Sequence, residues 1–175
     1  MIEVTKNILK NIYKERPVDV RKYDFGLLLV IGGSEFYSGS PALSALAAFK
    51  SGVDMVRIIA PKRAADIIAS FSPNLAAYPL EGNWLTKKHL AALISMTKSA
   101  KAVSRGNTAV VIGGGMGRSE EVQEAILEYL SQVSLQIHCL SMLLVVCVWC
   151  HMNLSFLPRV SHHILQLDRS HLIFF

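Results

Sequence analysis

Two glycine-rich loops constrain this chain more than any other feature, because each follows an apolar run and leads into a helical pattern. The first loop spans residues 32–40 and follows a run that begins at Leu27. The second spans residues 113–117 and follows a run that begins at Thr108. Turns of this kind bring backbone N–H groups and a helix N-terminus to one point, where anionic ligands bind. The pair predicts an α/β protein that handles a nucleotide.

Four short runs predict strands, and they cover residues 27–32, 54–60, 74–79 and 108–113. All but the third are almost continuously apolar, which is typical of strands buried on both faces of a parallel sheet. Alternation of such strands with helices predicts right-handed crossovers and a three-layer sandwich. Because the carboxyl ends of parallel strands lie at one edge, both glycine loops are expected there.

Helix boundaries are predicted from capping residues. Ser40 is expected to cap the first helix, with Pro41 at its opening position and Gly52 at its end. The second helix is expected at about 61–71, the third at about 87–99 after a Thr86 cap, and the fourth after Ser119.

The loops offer two kinds of ligand contact. In the second loop every second residue is a glycine, at positions 113, 115 and 117. Without these side chains, the backbone can approach a phosphate or a sugar closely. Arg118 suits a phosphate, although a surface ion pair with Glu120 or Glu121 explains it equally well. The first loop adds polar side chains, namely Ser34, Tyr37, Ser38 and Ser40.

Two familiar nucleotide motifs are excluded. The spacing of Gly32, Gly33 and Gly39 does not give GxGxxG, and the expected acidic residue is missing because Ala60 ends the next strand. A Walker A loop needs glycine-lysine followed by serine or threonine, and no such triplet occurs.

Charge and composition exclude other classes of function. The net charge of +5 over 175 residues comes from scattered Lys and Arg without interleaved aromatic residues, so no nucleic-acid partner is expected. Residues before 130 contain no apolar stretch of membrane-spanning length, and the N-terminus shows no signal peptide. The prediction is a cytoplasmic protein without a membrane partner.

The composition changes at Val133. Residues 133–175 contain no Gly, Glu or Lys, but all three Cys and five of the six His. We hypothesise that 1–132 is the N-terminal part of a domain, and that 133–175 is an aberrant tail from an altered reading frame. Its Cys147–His151 stretch matches a c-type haem attachment pattern, and the same cysteines with His162 and His163 could be drawn as a zinc site. Accidental occurrence in a tail of foreign composition explains both patterns better, and no metal site is predicted.

The glycine loops and their flanks resemble the nucleotide-dependent NAD(P)H-hydrate dehydratases over about residues 15–132. The matching stretches are KYDFG at 22–26, LVIGGS at 29–34, YSGSPAL at 37–43, Gly52, and VIGGGMGR at 111–118. The resemblance implies a ribokinase-like fold and a carbon-oxygen lyase that removes water from hydrated NADH or NADPH. The reaction is expected to be driven by hydrolysis of ADP or ATP as the Mg²⁺ complex. It implies substrate contacts at Tyr37, Gly39, Ser40, Ala42, Gly115 and Gly117.

The same resemblance implies that the chain is catalytically incomplete. The family's asparagine-x-glycine-threonine-glycine-aspartate loop, which holds nucleotide phosphates and supplies the general base, has no counterpart here. Where the family has an aspartate-alanine-aspartate strand, this chain has residues 136–140, QIHCL. The catalytic residues are therefore unknown. Two alternatives stay open: a small-molecule kinase of the same fold, and a non-catalytic binding fragment.

A sheet that lacks its remaining strands leaves an edge free to pair with another chain. The full chain is therefore expected to be poorly soluble or to form homo-oligomers. Size-exclusion chromatography with light scattering measures the oligomeric state. A monodisperse monomer that melts cooperatively would contradict this expectation.

Overall fold

Four parallel strands form one sheet, in the spatial order β3-β2-β1-β4. They are β1 (Leu27–Ile31), β2 (Met55–Pro61), β3 (Ala76–Leu80) and β4 (Thr108–Ile112). The apolar runs therefore predicted all four strands to within two residues. The exposed residues of β3 fit its place at an edge of the sheet, and explain why its run was the least apolar.

This computed structural model describes residues 7, 10, 13 and 15–133. Residues 22–133 lie within one compact unit, and residues 15–21 belong to a second. The sheet and its helices all lie in the first. The Cys and His patterns of the tail, and the QIHCL stretch, lie outside the described residues, so the hypothesis about residues 133–175 stays a prediction.

The helices follow the predicted order with shifted ends. They are α1 (Gly39–Lys50), α2 (Lys62–Phe71), a 3₁₀ turn (Lys87–His89) that runs into α3 (Leu90–Val103), and α4 (Glu120–Val133).

The predicted Ser40 cap of α1 is wrong, because Ser38 occupies the N-cap position and helical geometry already begins at Gly39. Pro41 is still in the first turn, where its missing N–H costs no intrahelical bond. The end of α1 is confirmed. Gly52 has a φ of +93°, its N–H donates to Phe49 O at 3.0 Å, and the N–H of Val53 donates to Ala48 O at 3.0 Å. These two bonds are a Schellman motif, which favours glycine at this position.

The two faces of the sheet carry different helices. On one face, α1 and α2 pack against Val30, Val56 and Ile58 through a set of mostly small side chains: Ala42, Ala45, Ala48, Ala64, Ala65 and Ile68. On the other face, α3 and α4 pack against Leu29, Ile31 and Ile112. The predicted three-layer α/β sandwich with a parallel sheet is confirmed for the described residues.

A buried hydrogen bond connects α3 and α4. The hydroxyl of Thr97 donates to Leu93 O at 2.8 Å, so it accepts from the hydroxyl of Tyr129 at 2.7 Å. Tyr129 has no exposed surface, and burial raises the pKa of its hydroxyl to about 12. The folded state therefore favours the neutral phenol over the phenolate.

Replacement of Tyr129 by Phe should change the pH dependence of stability. In the unfolded chain Tyr129 ionises near pH 10, whereas in the fold it stays neutral to about pH 12. Its stabilising contribution is thus complete below pH 10 and falls as the pH rises towards 12, by an amount on the order of 2–3 kcal/mol. Denaturant unfolding should show that Tyr129→Phe is about 1 kcal/mol less stable at neutral pH, with the difference reversing in strong alkali.

Tyr78→Phe is the matched control, because Tyr78 is about half exposed. Its free energy of unfolding should match that of the unmodified chain at every pH. A constant difference between Tyr129→Phe and the unmodified chain from pH 8 to pH 12 would contradict the assignment.

Candidate functional site

The strand order creates a crevice at the carboxyl edge of the sheet. From β1 the chain moves outward to β2 and then β3, and it later returns to place β4 on the other side of β1. The loops after β1 and β4 therefore leave the sheet towards opposite faces. In open α/β sheets this reversal of strand order is the place where ligands bind.

The two glycine loops meet at this crevice and are hydrogen-bonded to each other. Ile31 pairs with Ile112 in the parallel register, so both loops begin at the same height. The N–H of Gly113 donates to Ile31 O at 3.1 Å, and the N–H of Gly33 donates to Gly114 O at 2.7 Å. The predicted shared edge of the two loops is confirmed.

Glycine is required where the loops touch. A methyl group at Gly32 would lie 2.6 Å from Gly114 O, and one at Gly115 would lie 3.0 Å from Cβ of Tyr37. Gly113, Gly115 and Gly117 also have positive φ angles, of +122°, +75° and +88°. Residues with side chains rarely adopt such angles, so the glycines provide both the close contact and the turn.

The first turn of α1 adds donors beside the glycine loops. In an α-helix the first N–H groups have no intrahelical acceptor, which leaves those of Gly39 and Ser40 available for a ligand. Space is open beside Gly39, where an added methyl group would meet nothing within 4 Å. The preceding turn is fixed by the buried Ser34, whose N–H donates to Tyr37 O at 2.9 Å. This arrangement suits an anionic group such as a phosphate.

Five of the six predicted substrate-contact residues lie around the crevice: Tyr37, Gly39, Ser40, Gly115 and Gly117. Tyr37 has 62% of its surface exposed, and both Gly39 and Ser40 are exposed. Ala42 differs, because only 2% of its surface is exposed and its methyl group lies in the core under α1. Substrate contact by these six residues remains a prediction.

Sequence reasoning missed the residues that the loop after β3 brings to the same edge. This loop, residues 81–86, carries Asn83 and Trp84 to the crevice. The N–H of Glu35 donates to Asn83 O at 2.8 Å, and the rings of Phe36 and Trp84 lie 5.8 Å apart. An aromatic residue within a glycine- and serine-rich loop was a usable signal for Phe36, whereas nothing local marked Trp84.

Two arginines place positive charge near these loops. Arg63, on α2, donates from Nη1 to the carbonyl of Glu35. Arg118 follows Gly117 directly and is exposed. Within residues 15–133 it forms no ion pair with Glu120 or Glu121, so the surface-pair explanation of Arg118 is wrong for the described part of the chain.

The opposite edge of the sheet has a different character. A polar cavity of about 250 Å³ lies there, lined by residues of the segment before β1 and of the turn between α3 and β4, among them Tyr23, Arg105 and Asn107. Asp54 lies at this edge too, where its carboxylate accepts from the N–H of Phe25 at 2.7 Å. Asp54 therefore connects the segments that precede β1 and β2. It lies at the amino ends of these strands, whereas the glycine loops lie at the carboxyl ends.

The described residues contain neither a candidate metal centre nor a candidate membrane-spanning helix. Between residues 15 and 133 no group of three or more His, Cys, Asp or Glu side chains is placed to hold a metal ion. None of the helices in this range is sufficiently long and apolar to cross a bilayer.

The parallel sheet, the helices on both of its faces and the crevice at the strand switch point define a ribokinase-like α/β protein. The family model for NAD(P)H-hydrate dehydratase matches residues 28–137. This chain belongs to that family.

Relatives of known identity agree with this assignment. The bifunctional NAD(P)H-hydrate repair enzyme of Pyrobaculum aerophilum is 43% identical over 113 residues, which are 65% of this chain and 21% of that protein. The ATP-dependent (S)-NAD(P)H-hydrate dehydratase of Phaeosphaeria nodorum is 31% identical over 134 residues, which are 75% of this chain and 41% of that protein. The chain therefore spans between about a fifth and two fifths of these relatives.

Solved structures show the same fold. A ribokinase-like superfamily protein from Enterococcus faecalis superposes with a TM-score of 0.59 at 22% identity, covering 74% of this chain and 40% of that one. The ADP/ATP-dependent NAD(P)H-hydrate dehydratase of Bacillus subtilis, co-crystallised with ATP and Mg²⁺, gives a TM-score of 0.52 at 22% identity, with coverages of 73% and 41%.

Contact between the loops should make Gly32 intolerant of any side chain. Gly32→Ala places a methyl group against the backbone oxygen of Gly114, which cannot rotate away, so we expect a loss of about 1–3 kcal/mol in the free energy of unfolding. Gly39→Ala is the matched control on the same loop, because neither residue has a positive φ and the space beside Gly39 is open. It should change stability by about 0.5 kcal/mol or less. Equal losses in denaturant unfolding would show that the loops are not in contact.

Proposed function

We propose that this chain takes part in the nucleotide-dependent dehydration of hydrated NADH or NADPH, as a carbon-oxygen lyase of nicotinamide nucleotide repair. Its described residues supply the substrate-binding part of the site. As part of the same proposal, we place the protein in the cytoplasm.

The observation that carries this proposal is the direct backbone contact of the two glycine loops at the switch point. Gly33 and Gly114 are joined there by a 2.7 Å hydrogen bond, and the open first turn of α1 lies alongside. A dinucleotide carries a pyrophosphate between two nucleosides, and the free N–H groups of Gly39 and Ser40 suit that anionic centre. The glycines of the two loops have no side chains, so the pyrophosphate could approach their backbone closely.

We propose that ADP or ATP is the co-substrate, since the related proteins are described as ATP-dependent or ADP/ATP-dependent. Hydrolysis of the nucleotide supplies the driving force for removal of water. Mg²⁺ is usually held by one or two carboxylates together with the phosphates of the nucleotide. Residues 15–133 contain no group of three or more His, Cys, Asp or Glu side chains that could hold a metal ion. Their part is to orient the hydrated substrate.

The proposal is tested first by thermal unfolding of the full 175-residue chain with NADPH hydrate, and separately with ADP and with ATP and Mg²⁺. A ligand that binds the folded state at about 100 times its Kd stabilises it by about 2.7 kcal/mol. We expect stabilisation by the hydrate. Stabilisation by a phosphorylatable sugar or alcohol, and not by the hydrate, would favour the small-molecule kinase instead.

Filling the space beside Gly39 should remove this stabilisation. Gly39→Leu puts a bulky side chain where the phosphate is expected, on a helix position that meets no neighbouring atom within 4 Å. The variant should melt within a few degrees of the unmodified chain without ligand, and should lose most of the shift with NADPH hydrate.

Ala47→Leu is the matched control, because Ala47 is exposed on the same helix two turns further on. It should keep the full shift. If Gly39→Leu also keeps the full shift, the first turn of α1 is not part of the binding site.

A further inference from the structure

Phe36 and Trp84 form an aromatic pair at the mouth of the crevice that the proposed phosphate contacts do not explain. Their ring centroids are 5.8 Å apart and their planes are inclined by 57°. Phe36 has 70% of its surface exposed, and Trp84 is partly exposed. Tilted aromatic pairs of this geometry are favourable, but exposure of so much apolar surface costs free energy unless something covers it.

The loop that carries Trp84 is fixed at both ends. On one side of the tryptophan, Asn83 O accepts from the N–H of Glu35, and on the other side Leu85 is buried in the core. His89 closes the loop, because its Nδ1 accepts from the N–H of Thr86 at 3.1 Å and its Nε2 donates to Glu81 O at 2.9 Å. These contacts therefore hold the backbone at Trp84 beside the crevice.

Gly117 fixes the other side of the indole. A methyl group there would lie 2.7 Å from Cζ3 of Trp84, so the ring packs directly on the glycine backbone. The aromatic pair is thus built from three loops, which follow β1, β3 and β4. These loops all leave the sheet at its carboxyl edge, beside the proposed phosphate contacts.

We propose that Phe36 and Trp84 stack the adenine ring of a bound adenine nucleotide. Flat heteroaromatic rings stack well on aromatic side chains at the edge of a phosphate site. Of the two rings in the proposed substrate, the nicotinamide has gained water across a double bond and is no longer planar, whereas the adenine stays flat and aromatic. Arg118, next to Gly117, adds positive charge for the phosphates that adenosine carries. The identity of the dinucleotide rests on the proposed function.

Adenine could come from the dinucleotide substrate or from ADP or ATP, and we assign it to the dinucleotide. Its pyrophosphate would lie on the glycine loops that support Trp84, so one ligand spans both features. Trp84 reports the binding directly, because the only other tryptophan is Trp149. In the full-length Trp149→Phe chain, NADPH hydrate should quench the remaining fluorescence, and its adenosine half, ADP-ribose 2′-phosphate, should do so as well. The hydrated nicotinamide mononucleotide half should not.

The side chains are then tested by titration with NADPH hydrate. Phe36→Ala and Trp84→Leu should each raise its Kd by about 5- to 100-fold, whereas Trp84→Phe should retain most of the affinity. Phe71→Ala is the matched control for Phe36→Ala, because Phe71 is also exposed and lies at the end of α2. It should leave the Kd unchanged, and Phe36→Ala removes an exposed ring, so it should not unfold the chain.

Each outcome has a distinct meaning. If the hydrate binds the unmodified chain and all variants bind it equally, the stacking proposal is overturned and the proposed function stands. If ADP quenches Trp84 and the hydrate competes with it, adenine stacking from either source is supported. If ADP quenches and the hydrate neither binds nor competes, the assignment to the dinucleotide is overturned together with the proposed substrate. If neither ligand binds, both proposals fail.

Discussion

The alignment of β1 with β4 is the constraint on which the rest of this site depends. Because Ile31 and Ile112 are paired in register, the next residues of both strands are glycines at equal height, and the hydrogen bond from Gly33 to Gly114 joins the loops. A side chain at Gly32 would push the loops apart. The contact also lies beside Ser40 in the first turn of α1, and it comes three residues before Gly117, on which the indole of Trp84 packs.

Much of this arrangement could be predicted because it depends on local chemistry. Continuous apolar runs identify buried parallel strands, and glycines immediately after them identify the ligand edge. Gly52 ended α1 as expected, because a left-handed residue after a helix favours glycine. The family resemblance rested on the same loops, and the chain proved to belong to that family.

The remainder depended on contacts between residues far apart in sequence. The loop after β3 crosses the carboxyl edge to reach the start of α3, and only this path brings Trp84 to Phe36 and Gly117. The predicted start of α1 was two residues too late. Capping rules favoured Ser40 as the N-cap because Pro41 follows it, but Gly39 already has helical geometry and Ser38 is the N-cap. The buried hydroxyl pair of Thr97 and Tyr129 was equally invisible, since each residue alone suits the apolar face of a helix.

The alanines on the buried face of α1 limit how far this helix can move when a ligand binds. The helix packs on the sheet through the methyl groups of Ala42, Ala45 and Ala48. Methyl groups have no alternative rotamers, and close packing leaves the helix little room to shift relative to the sheet. The donors at its first turn are therefore held in place before any ligand arrives. An anion that docks there would meet a rigid receptor and would lose little binding free energy to ordering of the protein. Discrimination among ligands would then fall to the aromatic rings of Phe36 and Trp84 at the rim of the crevice.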